Sequence, residues 1–381
     1  MTFIKGISNP NLDFCCKLSC GMKKRIIGFD LARAYAIFGM FIVNFNMVFG
    51  NHDDSSLIGK FLVLFSGHSS TVFVILAGMG VSLMTNRLQE YTFEDRKRLR
   101  NTILKRGAFL FVFGMLFCYW WPADILHLYG GYMGIGALLV FIDKKYYLMA
   151  AFACIVIFHL LLLMIPFETG WNLATLEYPD FWTLTGFIRN TFYNGWNPIF
   201  PWFAYFAIGL YLGRLDWTLK QTQQKIFSIG LVLYLFVEGI RYGSTFLNLS
   251  AETRELINAD YIPPVLPFIL NTIGFGMMLI TGFMFISKYI SEKTWAKNLA
   301  GTGQMTLTHY VSHLTIGLII LALLQGSNYS EVISRKSIVE PIYILLYSLG
   351  FFISSICFSK FWGKKFKQGP LEMLMRKITK T

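Results

Sequence analysis

Charge is scarce in this chain. Of 381 residues only 14% are Asp, Glu, Lys or Arg, against 55% hydrophobic and 17% aromatic, which is too little polar surface for a soluble multidomain protein of this length. Acidic residues are the scarcer half, 21 against 34 basic ones, for a formal net charge of +13. Cysteine is sparse and in no zinc-like spacing. Cys15, Cys16 and Cys20 sit in a basic N-terminal segment, and Cys118, Cys154 and Cys357 sit in apolar stretches where a thiol behaves as a small hydrophobe. With thiols of the first group on a reducing cytoplasmic side, no disulfide framework is expected. No HExxH pattern occurs, so no metal is expected. No signal peptide is expected either: Lys17, Lys23, Lys24 and Arg25 precede the first apolar run and no small-residue cleavage site follows a short apolar core. Met22 followed by Lys23, Lys24 and Arg25 reads as a bacterial start, which makes 1–21 a candidate upstream extension.

What the chain does have is ten long apolar stretches, at 27–50, 60–86, 104–121, 124–142, 146–166, 200–213, 226–241, 263–286, 305–324 and 339–359. Most approach the roughly 20 residues that a helix needs to cross a hydrocarbon core of about 30 Å; 200–213 is the shortest. The expected fold class is an all-α, polytopic transmembrane helical bundle of about ten helices with both termini cytoplasmic. Three parts follow: a cytoplasmic segment 1–26, one transmembrane domain 27–359, and a basic tail 360–381. With the N-terminus inside, about 27 of the 34 basic residues fall on the cytoplasmic side and about 6 outside. Membrane orientation and anionic lipid thus account for the positive charge, and no nucleic-acid partner is expected. Membrane lipids are the expected partners, and a homodimer is carried as an open expectation.

Two outside loops have any size. The larger, 167–199, is rich in Trp and Asn, including Trp171, Asn172, Trp182, Asn190, Asn194, Trp196 and Asn197. Indole faces stack on sugar rings and amides bond hydroxyls; the competing explanation is an aromatic interfacial belt. The other, 243–262, reads as a solvated connection. The largest inside loop, 87–106, alternates charges with Leu and Ile at helical spacing and reads as an amphipathic surface helix able to hold phosphates, or as plain orientation anchoring. Gly130, Gly131, Gly134 and Gly136 follow no strand, so they read as close helix packing in the bilayer and not as a phosphate loop.

Ionisable groups inside a span are costly to bury and are functional candidates by default. Asp30 and Arg33, three residues apart at the start of the first span, share a face. Asn44 and Asn46 lie near the other end of that span. His68 lies in Ser66-Gly67-His68-Ser69-Ser70, a polar break within the second span, and such breaks are tolerated only where protein or a cavity surrounds them. Asp124 and His127 are again three apart. His309 and His313 are four apart on the ninth span. Glu238 with Arg241 reads as an interfacial pair, and His159, alone on an apolar helix, as a packed histidine.

Several segments resemble a known family. RIIGFDLARAYAIFGMFIVN at 25–44, DILHLY at 124–129, GQMTLTHY at 303–310 and GPLEMLMR at 369–376 are similar, in the same order, to motifs of the bacterial YeiB-like membrane proteins. That family resembles the membrane acyltransferases that include heparan-α-glucosaminide N-acetyltransferase and the bacterial O-acyltransferases. His68 followed by FVILAG at 73–78 resembles the histidine and apolar run of the heparan-type branch. There are departures: Asn44 stands where the O-acyltransferases carry a first-helix histidine, Ala34 replaces a glycine, and Gln304 and His309 replace an arginine and an asparagine.

The resemblance implies an integral-membrane acyltransferase of the bacterial inner (plasma) membrane. An acyl group would move from cytoplasmic acyl-CoA to a hydroxyl or amine of an extracytoplasmic acceptor, a glycan or a lipid-linked intermediate. An imidazole of ordinary pKa about 6.5 suits the base that removes the acceptor proton. The expected catalytic residues are His68, Asp124 and His127, with His68 as base or as transiently acylated nucleophile. Asp30, Arg33, Arg96, Arg98, Arg106 and Arg214 are expected to hold acyl-CoA, and Asn44, Trp196, Asn197, His309 and His313 to hold the acceptor. The competing functions are a transporter or flippase of a small metabolite or lipid-linked intermediate, and a non-catalytic assembly factor. No duplicate of the Gly67-His68 break occurs in the second half, and repeated breaks are frequent in transporters.

Overall fold

The computed structural model describes residues 26–51, 54–86, 91–173, 175–258, 261–326 and 339–380. The three N-terminal cysteines and nearly all of the 1–26 segment lie outside the described residues. Helix follows helix throughout: α1 (Ile27–Phe49), α2 (Leu57–Val63), α3 (His68–Met84), α4 (Phe93–Phe117), α5 (Leu126–Leu139), α6 (Lys145–Met164), α7 (Leu184–Arg189), α8 (Ile199–Gly213), α9 (Lys220–Ser244), α10 (Ala251–Asn258), α11 (Leu266–Ile290), α12 (Thr294–Gly303), α13 (Thr306–Ser312), α14 (Leu318–Leu324), α15 (Pro341–Gly363) and α16 (Pro370–Thr379). A π-helical turn, His313–Gly317, joins α13 to α14. Extended pairing among the described residues is confined to two isolated bridges, Gly50 with Val339 and Asn172 with Glu177.

The protein is a multi-pass, all-α membrane protein. Seven spans among the described residues are long and apolar enough to cross a bilayer: Ile27–Phe49, Leu57–Met84, Lys145–Met164, Lys220–Ser244, Leu266–Ile290, Thr306–Leu324 and Pro341–Gly363. The other three apolar stretches are built differently. Stretch 104–121 is the far half of the 25-residue α4, whose near half carries Glu94, Asp95, Arg96, Lys97, Arg98 and Arg100 and starts in a capping box between Thr92 and Asp95. The charged segment 93–106 is therefore continuous with an apolar helix and is not a separate surface helix. Stretches 124–142 and 200–213 yield α5 and α8, of 14 and 15 residues. At 1.5 Å per residue these reach roughly 21–23 Å, short of a bilayer core. Both are largely buried in the bundle, although Leu138 near the end of α5 is exposed.

Burial separates an inner from an outer layer. More than half of the most apolar window is buried in α1, in α2–α3 and in α11, against 22% in α6, 17% in α9 and 22% in α15. An apolar helix buried on all sides belongs to a core, whereas an exposed apolar face here is a lipid face. Helix α1 lies at the centre, packed on α3, α11, α12, α13 and α15; the pairs α9–α11, α3–α8, α4–α5 and α6–α8 make up most of the remaining packing. Small residues set the closest approaches, as the glycine pattern suggested: a Cβ on Gly130 would lie 2.6 Å from the Gly107 carbonyl oxygen and 2.7 Å from the Phe111 amide, and one on Gly136 2.6 Å from the Phe206 ring. Gly134 does not share this role, having no neighbour within 4 Å of such an atom.

Candidate functional site

The second span breaks where the sequence suggested. Helix α2 ends at Val63, α3 starts at His68, and between them Gly67 has φ +69 and ψ −39. The His68 amide donates to the Ser66 carbonyl at 2.8 Å, so Gly67 centres a γ-turn of the kind that strains any L residue. Space demands glycine as well, since a Cβ there would lie 2.5 Å from the Phe268 ring.

Beside this break is a cavity of about 290 Å³, walled by Asn44 and Asn46 of α1, Ser66 to Gly67 and Ser69 to Ser70 of the break, Ala123 and Ile125, Trp196 and Asn197, Tyr261 and Tyr310. Three of the expected acceptor residues, Asn44, Trp196 and Asn197, thus share one cavity. A fourth, His313, supports it from behind. Its Nδ1 donates to the His309 carbonyl at 3.2 Å, and its Nε2 accepts from Asn44 Nδ2 at 2.9 Å. His309 sits farther along, with Nε2 2.8 Å from Ser359 Oγ, and is not among the cavity residues.

His68 does not line the cavity. Its Nδ1 is 3.1 Å from the Ser66 carbonyl oxygen and its Nε2 is 3.0 Å from Asn271 Oδ1. The Asn271 amide is oriented by donating Nδ2 to Glu238 Oε1 at 2.7 Å, and Arg241 donates to the same carboxylate at 3.1 Å. Both ring nitrogens of His68 therefore face oxygen acceptors, which leaves no lone pair directed at a substrate. The interfacial pair Glu238–Arg241 turns out to be the outer end of a polar chain that runs through Asn271 to His68.

Asp124 and His127 form a tighter unit. Asp124 Oδ2 accepts from the amides of Leu126 (2.8 Å) and His127 (3.2 Å) at the start of α5, and lies 3.3 Å from His127 Nδ1. Its Oδ1 accepts from the Tyr310 hydroxyl at 3.2 Å. Asp124 and His127 are 1% and 3% exposed. A Nδ1 hydrogen donated to Asp124 makes Nε2 the basic nitrogen, and that atom is buried without a partner among the described residues. Gly114 makes room for the pair, since a Cβ there would lie 2.2 Å from the His127 amide and 2.8 Å from Asp124 Oδ2. Tyr310 is the member that sequence reasoning missed. It lines the cavity and bonds Asp124, and the only signal for it was its place at the end of the GQMTLTHY motif.

Cys118 Sγ is 3.4 Å from His127 Nδ1, and the ligand atoms of Cys118, Asp124 and His127 lie within 4.8 Å of one another, so this trio could hold a metal. A metal-bound histidine normally donates its other ring N–H. With His127 Nε2 unpartnered and Asp124 Oδ2 already taken by two amides, the trio fits a carboxylate–imidazole pair better.

Several of the residues expected to hold acyl-CoA meet the ends of α3 and α5, each with protein partners of its own. Arg33 donates to Asp30 at 2.7 Å, and Asp30 also accepts from Gln304 Nε2 at 3.0 Å, which gives the departure at Gln304 a packing role. Arg214 serves another purpose. Its guanidinium donates to the carbonyls of Ser82, Thr85 and Val140 at 3.1, 2.6 and 2.6 Å and to Thr85 Oγ1 at 2.9 Å, and so caps the carbonyl ends of α3 and α5. Arg106 donates to Met84 Sδ, and Arg96 lies 6.0 Å from the Phe141 ring centre. Arg98 lines a second hollow of about 300 Å³ with Glu94, Lys97, Lys105 and Lys380. His159 is a packed histidine as expected, donating to the Ile155 carbonyl and accepting from the Leu266 amide.

Residues 25–230 match the family described as heparan-alpha-glucosaminide N-acetyltransferase, catalytic, and residues 212–381 match the family described as protein of unknown function, DUF418. The first match takes in His68, Asp124, His127 and the Trp196–Asn197 wall; the second takes in Tyr310, His313, Asn271 and Glu238. No curated protein matches the chain.

Proposed function

We propose that this chain, which belongs to the heparan-α-glucosaminide N-acetyltransferase catalytic family, is a membrane acyltransferase that moves an acyl group from acyl-CoA to a hydroxyl or amine held in the cavity beside Gly67. The observation that carries this reading is the buried chain Tyr310–Asp124–His127, whose Tyr310 lines the cavity and whose Asp124 and His127 lie inside the family match. In this reading Tyr310 is the cavity-facing end of a chain through Asp124 to His127. The acceptor gives its proton to the Tyr310 oxygen while Tyr310 gives its own to Asp124 Oδ1, the acceptor's oxygen or nitrogen attacks the thioester carbonyl, and a proton returns through Tyr310 to the sulfur, so that coenzyme A leaves as the thiol. Asp124 orients the imidazole. His68, with both nitrogens engaged, keeps the helix break in shape. The hollow with Lys97, Arg98, Lys105 and Lys380 supplies cations of the kind that coenzyme A phosphates require, on the face that the positive-inside pattern makes cytoplasmic in a bacterial inner membrane.

The test is acetyl-CoA binding and transfer by purified protein in lipid nanodiscs. His127→Ala is expected to lower turnover at least 100-fold while acetyl-CoA binding stays within a few-fold of the original. His68→Gln is expected to retain most of the activity. Absence of acetyl-CoA binding at millimolar concentration in folded protein would instead support transport through the broken second span.

A further inference from the structure

We infer that α16 is a surface helix seated on the anionic phospholipid of the cytoplasmic leaflet. Through Glu372 it makes the start of α13, the helix that carries Tyr310, respond to the charge of that leaflet.

Position is the first support. Helix α15 is a membrane span that ends at Gly363, and α16 begins at Pro370. The chain between them does not run off into solvent. The Trp362 indole donates to the Gln368 carbonyl at 2.8 Å, and the Trp362 and Phe366 rings stack with centres 4.4 Å apart. The linker thus folds back onto the end of α15, and α16 starts beside the membrane boundary that this span reaches.

Charge and surface are the second. From Lys360 to Lys380 the chain has seven basic residues and one acidic residue, Glu372. All seven basic residues are exposed, whereas Glu372 turns inward to the Leu307 amide and the Thr308 hydroxyl. On the inner face of α16, Leu371 packs on the core and Thr379 is buried. At about 3.6 residues per turn, one flank of that face carries Leu374 and Ile378, which are 41% and 59% exposed. The other flank carries Arg376 and Lys380. An open apolar stripe on a helix edged with cations fits the headgroup boundary of an anionic leaflet, where the stripe meets acyl chains and the cations meet phosphates. A neutral leaflet supplies only the first of these contacts.

The third support is the connection to α13. Thr308 Oγ1 donates to Glu372 and accepts from the Leu371 amide at 3.1 Å, so the two helices cap each other's first turns. Whatever holds α16 on the surface therefore holds the start of α13. Tyr310, two residues beyond Thr308, lines the cavity.

Amide hydrogen exchange in nanodiscs tests this independently of acyl transfer. In discs with about 30 mol% phosphatidylglycerol in phosphatidylcholine, α16 and the Leu307 and Thr308 amides are expected to exchange at least tenfold more slowly than in phosphatidylcholine alone. Sodium chloride at about 0.5 M should remove most of that difference, because it screens the headgroup attraction. The triple variant Lys364→Gln, Lys365→Gln, Lys377→Gln is expected to lose most of the lipid effect, as is the double variant Leu374→Ser, Ile378→Ser, with exchange in α11 unchanged as the control for folding. Lys380 also lines the hollow given above to donor phosphates, so both variants leave it intact. Equal exchange in the two kinds of disc overturns the inference. Slower exchange in α16 that leaves the Leu307 and Thr308 amides unchanged overturns the coupling to α13. Protection that appears only when two copies share a disc, whatever the lipid, assigns the face to a second copy of the chain and overturns the lipid reading.

Discussion

The Glu372 carboxylate accepts from the Thr308 hydroxyl at 2.6 Å and from the Leu307 amide at 2.7 Å, so the C-terminal helix α16 caps the start of α13, which carries Tyr310 and leads into the π-helical turn that begins at His313. The tail is thereby connected to the cavity through a single helix. Gly369 permits the approach, because a Cβ there would lie 2.3 Å from the Glu372 carboxylate and 2.5 Å from Thr308 Oγ1.

Burial pushes the Glu372 carboxyl above the usual carboxylate range, partly offset by these hydrogen bonds. A raised folded pKa means that its contribution to stability is fully present below the unfolded value and is lost as pH rises through the folded one. Glu372→Gln is therefore expected to keep α16 docked at pH 7 to 8 with less pH dependence than the original. Glu372→Ala should release it at a cost of about 1–2 kcal/mol, as for other lost helix caps. Amide exchange in α16 reads both outcomes, and equal protection in the Ala variant would refute the capping role.

Arg214 is expected to matter for stability and not for donor affinity. Arg214→Gln removes the guanidinium from three backbone carbonyls and should cost on the order of 3 kcal/mol, seen as a lower unfolding midpoint in nanodiscs. A variant of unchanged stability with weakened acetyl-CoA binding would return Arg214 to the donor site.

Gly67→Ala combines a strained positive φ with a clash against Phe268, and an expected loss of about 2 kcal/mol or more follows. The same change at Gly134, where nothing lies within 4 Å, should be nearly neutral. Parallel melting curves of the two variants make the comparison.

Orientation is tested by single cysteines. Arg96→Cys and Lys293→Cys are expected to be labelled only from the cytoplasmic side and Asp180→Cys only from the opposite side, as the distribution of basic residues demands. Labelling at position 180 from inside would invert the topology.

Composition and hydropathy by themselves determined that this chain is an all-α membrane protein, because a bilayer accepts only spans that bond their own backbone and the apolar runs have the matching length. The sequence also marked the break at Gly67, since a run of Ser, Gly and His inside an apolar span has few other uses. Number and depth of spans were not legible: a 14-residue apolar stretch reads the same whether lipid or protein surrounds it, and only packing put α5 and α8 inside. The site divides in the same way. Asp124 and His127 could be paired by their spacing of three, a local relation that one helix start enforces. Tyr310 meets Asp124 across 186 residues and Asn271 meets His68 across 203, and no local pattern encodes such contacts. His68 looked like the base because it stood in a polar break; in the tertiary structure both of its nitrogens face oxygen acceptors, whereas His127 Nε2 is buried without a partner among the described residues.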